Sequence, residues 1–331
     1  MPQIAVVILN WNGRKLLQEF LPSIVMYSQL ATIYVADNAS SDDSIAYIAA
    51  NFPTVKIVKN SGNYGYAGGY NRALVHVEEP YLVLINSDVQ VTENWLLAPL
   101  QLLEQQPQIA IIQPKILDYK NPTKFEYAGA AGGFIDKYGF PYCRGRVFDT
   151  IEVDTGQYDA STPIFWASGA CFFIRKSVFE DLQGFDTDFF AHQEEIDLCW
   201  RAKNSGYQVH YCGLSTVYHL GGGTLAYQNS RKTYLNFRNS LYMLLKNLPA
   251  SQLIIIIFTR LCMDGLAGIK MLLDGKPKHC WAVIHAHFSF YKRARRFYNK
   301  RKGKQSTEYY HTSSIVLQYF IKKRREFNNL I

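Results

Sequence analysis

Residues 4–13 read Ile-Ala-Val-Val-Ile-Leu-Asn-Trp-Asn-Gly, an uninterrupted apolar run that stops at a polar turn. Such a run without polar alternation predicts a strand buried on both faces. Three further short apolar runs follow, separated by segments with the apolar spacing of helices. The predicted strands are 4–9, 33–36, 56–59 and 81–85, and the predicted helices are 16–27, 43–51 and 68–77. This alternation predicts an α/β fold built on a parallel sheet.

Polar side chains follow three of the four predicted strands. They occupy positions 10–13, 37–41 and 86–88. Because ligands of open α/β sheets bind at the carboxyl ends of the strands, these segments are expected to meet at one crevice. Asn, Asp, Ser and Gly are also the common residues of turns and caps, so each segment taken alone has that second interpretation.

Two common nucleotide-binding sites are disfavoured by the first turn. A dinucleotide-binding domain, with Asp37 at a ribose, needs three glycines there so that the backbone can approach a pyrophosphate. The turn 10–14 offers only Gly13, and the chain has no GKS or GKT sequence of the kind that ends a P-loop.

Charge is distributed unevenly along the 331 residues. Residues 1–230 contain 15 basic and 23 acidic side chains, whereas residues 231–331 contain 20 and 4. The basic part is expected to meet an anionic surface, either a membrane or a nucleic acid. Its most apolar stretch, 253–258, is too short to span a bilayer, so we expect contact with a membrane without crossing. Six cysteines without CxxC spacing, and no signal-peptide pattern, favour the cytoplasm.

Motifs along most of the chain carry a resemblance to a known family. They are 7–13, 37–42, 60–71, 86–88, 166–170, 184–186, 194–201 and 217–219. In this order they resemble the family 2 inverting glycosyltransferases of the GT-A fold, and within it the rhamnosyltransferase-like enzymes of cell-surface polysaccharide assembly. The resemblance implies a mixed, mostly parallel sheet with flanking helices and a helical, basic C-terminal extension. The implied regions are a GT-A domain at 1–240, divided into a nucleotide-sugar half at 1–115 and an acceptor half at 116–240, and a membrane-associated region at 241–331.

The resemblance also implies a divalent metal, Mn²⁺ or Mg²⁺, which would neutralise the departing diphosphate. Asp88 is the expected ligand, because hard cations prefer carboxylate oxygen. Related enzymes often have Asp-X-Asp in this turn, whereas this chain has Asn86 at the first position. His219 is expected at the metal or the diphosphate, with a structural histidine as the alternative. The glycines at 221–223 suit a mobile loop over the donor.

The implied donor contacts lie in the first half of the chain. Asp37 is expected to accept a hydrogen bond from a uracil or thymine ring, which Asn10 also frames. The glycine-rich loop 60–71 allows close backbone approach to a ligand and leads into a helix N-terminus, although a plain surface loop is the alternative. The expected donor-binding residues are Asn10, Asn12, Asp37, Asn63, Gly68, Asn71, Arg72, Asn86 and Ser87.

The densest acidic cluster begins at Glu194 and is the expected catalytic site. Inversion needs a base that takes the proton of the attacking hydroxyl, and crowded carboxylates raise one another's pKa. By resemblance Glu195 is the base, with Glu194 as the alternative. Asp197 is expected to pair with Arg201 as a structural bridge. Trp166 is expected to contact the acceptor.

These expectations describe an inverting transferase that moves a sugar from a UDP- or dTDP-sugar to a saccharide, lipid-linked, at the cytoplasmic face of the cell membrane. The basic runs at 292–296, 300–302 and 322–325 are interleaved with aromatic residues, and we interpret them as peripheral contacts to anionic lipid and not to nucleic acid. A homodimer is compatible with the sequence. The alternatives are a nucleotidyltransferase, which needs more basic residues in its first loop, and a non-catalytic module that binds a sugar nucleotide or glycan.

Overall fold

The computed structural model of the chain describes residues 3–221 and 229–330. The strands are β1 Ile4–Asn10, β2 Ala31–Asp37, β3 Lys56–Lys59, β4 Tyr81–Asn86, β5 Val89–Val91, β6 Ile109–Asp118, β7 Gly133–Ile135, β8 Pro141–Cys143, β9 Arg146–Val147, β10 Thr150–Ile151, β11 Thr162–Ile164, β12 Cys171–Arg175 and β13 Gln208–His219. The helices are α1 Arg14–Tyr27, α2 Ser44–Asn51, α3 Gly65–Leu74, α4 Leu97–Gln105, α5 Lys176–Asp181, α6 Glu194–Asn204, α7 Ser230–Asn247, α8 Ala250–Leu273 and α9 Pro277–Tyr298.

The main sheet has the strand order β11-β13-β6-β12-β4-β1-β2-β3, with β5 paired to β13. The four strands predicted first, β1 to β4, form a parallel block. The strand β12 lies antiparallel between β4 and β6, and β6 pairs in parallel with β13. The predicted mixed, mostly parallel α/β sheet is therefore confirmed, and the antiparallel insertion explains why strands far apart in sequence are neighbours.

The first strand is apolar throughout because both of its faces are covered. Ile4, Val6 and Ile8 pack with residues of α1 and α2, whereas Ala5 and Val7 pack with residues of α3. Successive strand residues point to opposite faces, so a strand between two helical layers has no polar position until it ends. This is the reason that Asn10, the first polar residue of the run, lies at the edge of the sheet.

A smaller antiparallel sheet, β10-β9-β8-β7, lies in the second half of the chain. The last residues of the chain return to it. Ile315 donates its backbone N–H to Asp136 Oδ2, and the ring of Phe327 packs on Phe134. Trp200 of α6 stacks on Tyr309. The C-terminal segment therefore forms part of the core.

Helix α7 joins the C-terminal helices to the rest of the molecule. It packs on α6 and on α9, and residue 240, the expected domain boundary, falls inside it. Four basic residues of the C-terminal part form ion pairs with two acidic residues of the body. The acidic partners are Asp186 and Asp188, and the basic partners are Lys246, Arg293, Arg296 and Lys300.

Other members of the basic runs also have partners in the protein, and the contact of these runs with lipid stays a prediction. Arg301 donates to the carbonyl oxygens of Leu245 and Leu248, and Lys302 donates to Gln183. The ion pairs have a physical reason. The largely buried carboxylates Asp186 and Asp188 need counter-charges, and the sequence places Arg296 and Lys300 about a hundred residues away from them. Charge runs in the sequence do not reveal such partners.

Helix α8 differs from the sequence expectation in length. It has 24 residues and, by length and composition, is the one helix among the described residues that could cross a membrane. Its polar residues Arg260 and Asp264 are buried against the protein, where Arg260 also donates to the backbone of Tyr138. Helix α8 thus has its polar side on the body of the protein and its apolar side outward.

Candidate active site

The turn after β1 is fixed by a network of hydrogen bonds to the turn after β2. Asn10 is fully buried, and its Nδ2 lies 3.0 Å from Asp37 Oδ1, 3.1 Å from Ser40 Oγ and 3.0 Å from Ser44 Oγ. Ser40 donates its hydroxyl and its backbone N–H to the two carboxylate oxygens of Asp37. Asn10 and Asp37, both expected to bind the sugar nucleotide, are therefore held together by these hydrogen bonds.

One atom of this network has no bonding partner. Asn10 Oδ1 is buried and accepts no hydrogen bond from the described residues. A methyl group at Gly13 would collide with this oxygen and would approach Ser87 Oγ. Gly13 therefore leaves space at the point where Asn10 and Ser87 meet, and a buried acceptor without a donor there suits a ligand N–H or O–H.

Asn12 closes the outer side of the same turn. Its Oδ1 accepts the backbone N–H of Ser41 at 2.7 Å, and its own backbone adopts the left-handed conformation at φ 51°. Asn tolerates that conformation better than most residues. Asn12 is exposed beside Asn10, so its backbone and amide lie at the mouth of the turn.

The glycine-rich loop places its polar residues differently from one another. Asn63 Oδ1 accepts the backbone N–H of Gly65, the first residue of α3, and Arg72 lies over the ring of Tyr64. Gly68 is inside α3 and packs against Tyr64, because the helix begins at Gly65, three residues before the predicted start.

Asn71 spans two elements of the core. Its Nδ2 donates to the carbonyl oxygen of Phe185 at 2.8 Å, and its Oδ1 accepts the N–H of the same residue at 2.9 Å. Both ends of the amide are thus occupied by the backbone of the 184–186 segment. Asn71 ties α3 to that segment, and its contact with the donor stays a prediction.

A buried histidine lies between two carboxylates at the end of β4. His219 Nε2 lies 3.2 Å from Asp88 Oδ1, and its Nδ1 lies 3.4 Å from Glu126 Oε1. All three side chains are buried. Burial alone would lower the pKa of His219, but the charges of Glu126 and Asp88 raise that pKa to about 10. The sequence predicted Asp88 and His219 as partners at one site, but it did not predict Glu126.

Asp88 and His219 suit a divalent cation that takes its remaining ligands from groups other than these two side chains. Among residues 3–221 and 229–330, no group of three His, Cys, Asp or Glu side chains is arranged to hold a metal by itself. The 3.2 Å between Asp88 and His219 is close to the separation of adjacent ligands around a small divalent ion. Glu126, on the other ring nitrogen, has the position of the carboxylate that commonly orients a metal-bound histidine. The residues 222–224 of the expected mobile loop lie outside the described residues.

The loop before α6 has an unusual backbone. Phe190, His192 and Gln193 have φ values of 65°, 70° and 73°. Such conformations are costly for residues with a Cβ and persist only where the surroundings enforce them. Here the enforcing side chain is Asn239 of α7, whose Nδ2 donates to the carbonyl oxygens of Phe189, Ala191 and His192.

The strained loop presents two glutamates at the N-terminus of α6. Glu194 is buried and Glu195 is partly exposed, and the Oε2 atom of each has no hydrogen-bond partner in the described chain. Burial raises the pKa of Glu195 to about 7. Burial, and then the charge of Glu195, also raise the pKa of Glu194. Raised pKa values suit carboxyl groups that exchange a proton near neutral pH.

Asp197 has a structural role, as predicted. Its Oδ2 lies 2.8 Å from Arg201 Nε, and it also accepts bonds from Lys246 and Asn247 of α7. Burial opposes ionisation of Asp197, but Lys246 and Arg201 outweigh it and lower the pKa to about 2. The pairing with Arg201 is confirmed, whereas the two partners from α7 were not expected.

Several hydrogen bonds connect the edge of the sheet with the loop before the glutamates. Tyr66 donates its hydroxyl to the carbonyl oxygen of Gly169 and its N–H to that of Phe190, just before the glutamates. Asn86, which precedes Asp88, donates its N–H to the carbonyl oxygen of Ala170, the residue after Gly169. These bonds link the segment that carries Asp88 to the loop before Glu195, and the shared cleft of the two residues stays a prediction.

The match to a family model decides the membership of this chain. Residues 2–236, more than half of the chain, match the model described as Glycosyltransferase like family 2. The chain belongs to this family. It is a glycosyltransferase, and the resemblance stated from its motifs is confirmed.

Two curated relatives are similar to this glycosyltransferase over most of their length. A low-salt glycan biosynthesis hexosyltransferase of Haloferax volcanii is 22% identical over 86% of this chain and 89% of its own. An N-acetylglucosaminyl-diphospho-decaprenol L-rhamnosyltransferase of Mycobacterium tuberculosis is 23% identical over 65% of this chain and 75% of its own.

The fold of the glycosyltransferase is also found among solved structures. A mannosyltransferase of Pyrobaculum calidifontis, solved with GDP-Man and Mn²⁺, is 15% identical, has a TM-score of 0.55, and matches 90% of this chain and 84% of its own. At that identity the likeness establishes the GT-A fold alone.

Trp166 occupies a different place in the glycosyltransferase from that expected of an acceptor contact. It is 3% exposed, and its Nε1 donates to the carbonyl oxygen of Phe134. Its ring packs on Gly133. Protein encloses this tryptophan on the sides described. Its expected contact with the acceptor stays a prediction.

Proposed function

We propose that this glycosyltransferase transfers a sugar with inversion from a nucleoside diphosphate sugar, of the UDP or dTDP type, to the hydroxyl of a saccharide. The observation that carries the proposal is the pair Glu194 and Glu195, two adjacent carboxyl groups with unpartnered oxygens on a strained loop beside the nucleotide cleft. Burial raises the pKa values of both groups, which brings them toward the pH at which a carboxyl group serves as a general base.

Glu195 is the base in this proposal. Its carboxylate takes the proton of the acceptor hydroxyl while the hydroxyl oxygen forms a bond to the anomeric carbon. The bond from that carbon to the diphosphate oxygen breaks on the opposite face, and the diphosphate leaves with the electron pair. Glu194 stays protonated, so that the cleft does not hold two adjacent negative charges.

Asp88 and His219 would hold Mn²⁺ or Mg²⁺, and Glu126 would orient His219. A bound divalent cation supplies Lewis-acid stabilisation of the negative charge on the departing diphosphate. Support comes from the 3.2 Å between the two candidate ligands and from the Mn²⁺ with which the mannosyltransferase of the same fold was solved. Asn86, the last residue of β4, can hydrogen-bond a ribose or phosphate.

The nucleotide would occupy the turns after β1 and β2. The unpartnered Asn10 Oδ1 and the nearby Asp37 supply acceptors for the imide N–H of uracil or thymine. Ser87 lies beside Gly13 at the bottom of this space. The remaining donor-binding candidates have lower support, because their side chains or Cα atoms contact the protein itself; they are Asn12, Asn63, Gly68, Asn71 and Arg72.

A lipid-linked acceptor at the cytoplasmic face of the membrane is the further part of the proposal. Its support is the name of the Mycobacterium tuberculosis relative, which includes diphospho-decaprenol, and the outward apolar side of α8.

The test is turnover of a panel of nucleotide sugars with wild type and two variants. We expect Glu195→Gln to lose transfer about a thousandfold while retaining donor affinity, since the base acts only in the chemical step. Glu180→Gln, an exposed carboxyl of α5, is the matched control. Unchanged transfer by Glu195→Gln would overturn the assignment, and donor binding without turnover by wild type would favour a non-catalytic binding module. Release of pyrophosphate from a nucleoside triphosphate would favour a nucleotidyltransferase.

A further inference from the structure

Helix α8 exposes an apolar stripe along its whole length. We define its outward face by the exposed side chains Ile254, Ile255, Phe258, Cys262, Leu266, Ile269, Leu272 and Leu273. They recur every three or four residues, as one side of a helix requires. Ile254 is 85% and Leu273 is 81% exposed, and 24 helical residues extend about 36 Å. Soluble proteins rarely leave so large a contiguous apolar surface in water.

The opposite side of α8 is attached to the protein. Arg260 pairs with Asp264 at 2.8 Å and donates to Tyr138 and Ser240. Gly268 packs closely on Val283 of α9. A helix that crosses a bilayer as a single span would expose all of its sides to lipid, including this ion pair, at a high cost. The attachment therefore leaves only the outward face available for an apolar partner.

The pair of helices that includes this face is basic. Residues 250–298 contain eight basic and two acidic side chains. Within the described chain, four of the basic ones have no acidic partner: Lys276 and Lys278 after the end of α8, and Lys292 and Arg295 near the end of α9, which runs back along α8. A cavity of about 250 Å³ beside them is lined by Tyr234, His285, Phe288, Ser289, Lys292 and Arg293.

We propose that the outward face of α8 lies in the headgroup and upper acyl region of an anionic bilayer, with α8 parallel to the membrane plane. The charge distribution selects lipid over a second copy of the chain. Two copies joined through this face would bring the four unpaired basic residues of each together, whereas anionic headgroups neutralise them. Apolar side chains below a rim of cations are the pattern of helices that lie in the interface.

This inference rests on and deepens the membrane part of the proposed function, and it assigns the apolar contact to α8, with Lys292 and Arg295 as the members of the basic runs that meet headgroups. Arg293, Arg296, Lys300 and Arg301 are engaged by the protein, so they contribute less to lipid than their number suggests. Membrane binding is measured without any sugar donor, so its failure and the failure of the transferase proposal are separate results.

The first experiment is flotation of the full chain with vesicles of phosphatidylcholine, alone or mixed with phosphatidylglycerol. We expect binding to the mixed vesicles, and we expect the triple variant Ile254→Gln, Phe258→Gln and Leu266→Gln to reduce the partition about tenfold or more. The matched control is Met26→Gln, Leu30→Gln and Val75→Gln, three exposed apolar side chains of the body, and it should float like wild type. Equal flotation of the α8 variant and wild type would overturn the proposal.

A second measurement uses a native probe. Cys262 is exposed on the outward face, whereas Cys143, Cys171, Cys199 and Cys212 are buried. An environment-sensitive fluorophore on Cys262, in a Cys280→Ser background, should shift to the blue when mixed vesicles are added. No shift in spite of flotation would place the membrane contact elsewhere and refute the assignment to α8. Sedimentation of wild type as a dimer that the α8 variant converts to monomer, with neither form floating, would assign the face to a second copy and refute the lipid proposal.

Discussion

The side chain of Asn239 donates a hydrogen bond of 2.7 Å to the carbonyl oxygen of His192, two residues before the glutamate pair. The same Nδ2 atom bonds two more carbonyl oxygens of this loop. Three of the residues from 190 to 193 have positive φ without being glycine, which their side chains disfavour. Helix α7 thus holds the loop in this conformation.

Asn239→Ala should therefore impair catalysis from a distance. The loop would lose three bonds and relax, which we expect to reduce kcat about ten- to a hundredfold with a smaller change in donor KM, because the base is displaced and the nucleotide turns are not. Steady-state kinetics with varied donor separate the two effects. The control is Asn51→Ala, an exposed amide with one hydrogen bond to its own helix. Equal losses in both variants would contradict the positioning role.

The pH dependence of transfer should follow Glu195. Its pKa of about 7 means that the base is half protonated near neutrality, so kcat/KM should fall about tenfold for each pH unit below 7 and level off above it. Glu195→Asp should keep this shape with a lower plateau, whereas Glu195→Gln should abolish it. A profile that is flat between pH 5 and 8 in wild type would exclude Glu195 as the base.

The pH dependence of folding stability should also follow Glu195, but in the opposite direction to activity. Activity rises with pH, whereas the contribution of Glu195 to stability falls. Because burial raises the pKa of Glu195 in the folded protein, the folded state holds its proton more tightly than the unfolded state, and this contribution is lost as pH rises from the ordinary value of 4.5 to about 7. We expect Glu195→Gln to melt at a higher temperature than wild type at pH 8, with little difference at pH 4. Thermal unfolding at both pH values is the measurement, and a lower melting temperature at pH 8 would contradict it.

The pair Lys246 and Asp197 should be important for folding. Lys246→Met would leave Asp197, buried with a pKa of about 2, with Arg201 and Asn247 as its remaining partners. Breaking a buried pair typically costs about 3–5 kcal/mol, and the bonds that remain place this variant near the lower value. Urea unfolding is the measurement. Lys270→Met, which breaks the exposed pair with Asp274, should cost less than about 1 kcal/mol.

Glu126 should support the binding of metal without being its ligand. We expect Glu126→Gln to weaken the affinity for Mn²⁺ about ten- to a hundredfold, because His219 loses the carboxylate at its second nitrogen, and Asp88→Asn to weaken it more. Titration of Mn²⁺ followed by electron paramagnetic resonance reports this without turnover. Glu79→Gln, a buried carboxyl that binds Tyr34, is the control. An equal loss in that control would show that the effect is general.

The glycine after the first strand should control donor affinity. Gly13→Ala would fill the space at Asn10 Oδ1 and Ser87, and we expect donor KM to rise about tenfold, equivalent to one lost hydrogen bond. Gly265→Ala, in an open position of α8, should leave it unchanged. Kinetics of the two variants with the same donor decide the matter.

The sequence was informative where function depends on residues that follow a strand. The four parallel strands, the turns at Asn10, Asp37 and Asp88, and the pair of Asp197 with Arg201 were predicted, because strand periodicity and the i,i+4 spacing are local properties. The site residues as a set stay a prediction, and the structure adds that Asn10, Glu194 and Glu195 each have a side-chain oxygen without a hydrogen-bond partner among the described residues.

The features that the sequence did not predict depend on contacts between residues far apart in the chain. Glu126 belongs to no motif and becomes significant only because β13 returns His219 beside it. Asn239 and Lys246 resemble ordinary members of a basic tail until α7 packs on α6. The insertion of β12 between β4 and β6 is equally invisible to local pattern, since an apolar strand of five residues has the same composition in any position of a sheet.

The partners that α7 provides to α6 and to the loop before it limit how this enzyme can be recombined with its relatives. A chimera that exchanges residues 1–229 for those of another transferase, and keeps the present C-terminal third, would set Asn239, Lys246 and Asn247 opposite carbonyls and carboxylates that they were not selected to meet. Crossover points that respect this interface lie before Asp186 and after Lys300, so that the loop and the helices α6 to α9 come from one parent. Donor preference should therefore be exchanged through the first 115 residues alone, with everything that supports the base inherited from one parent.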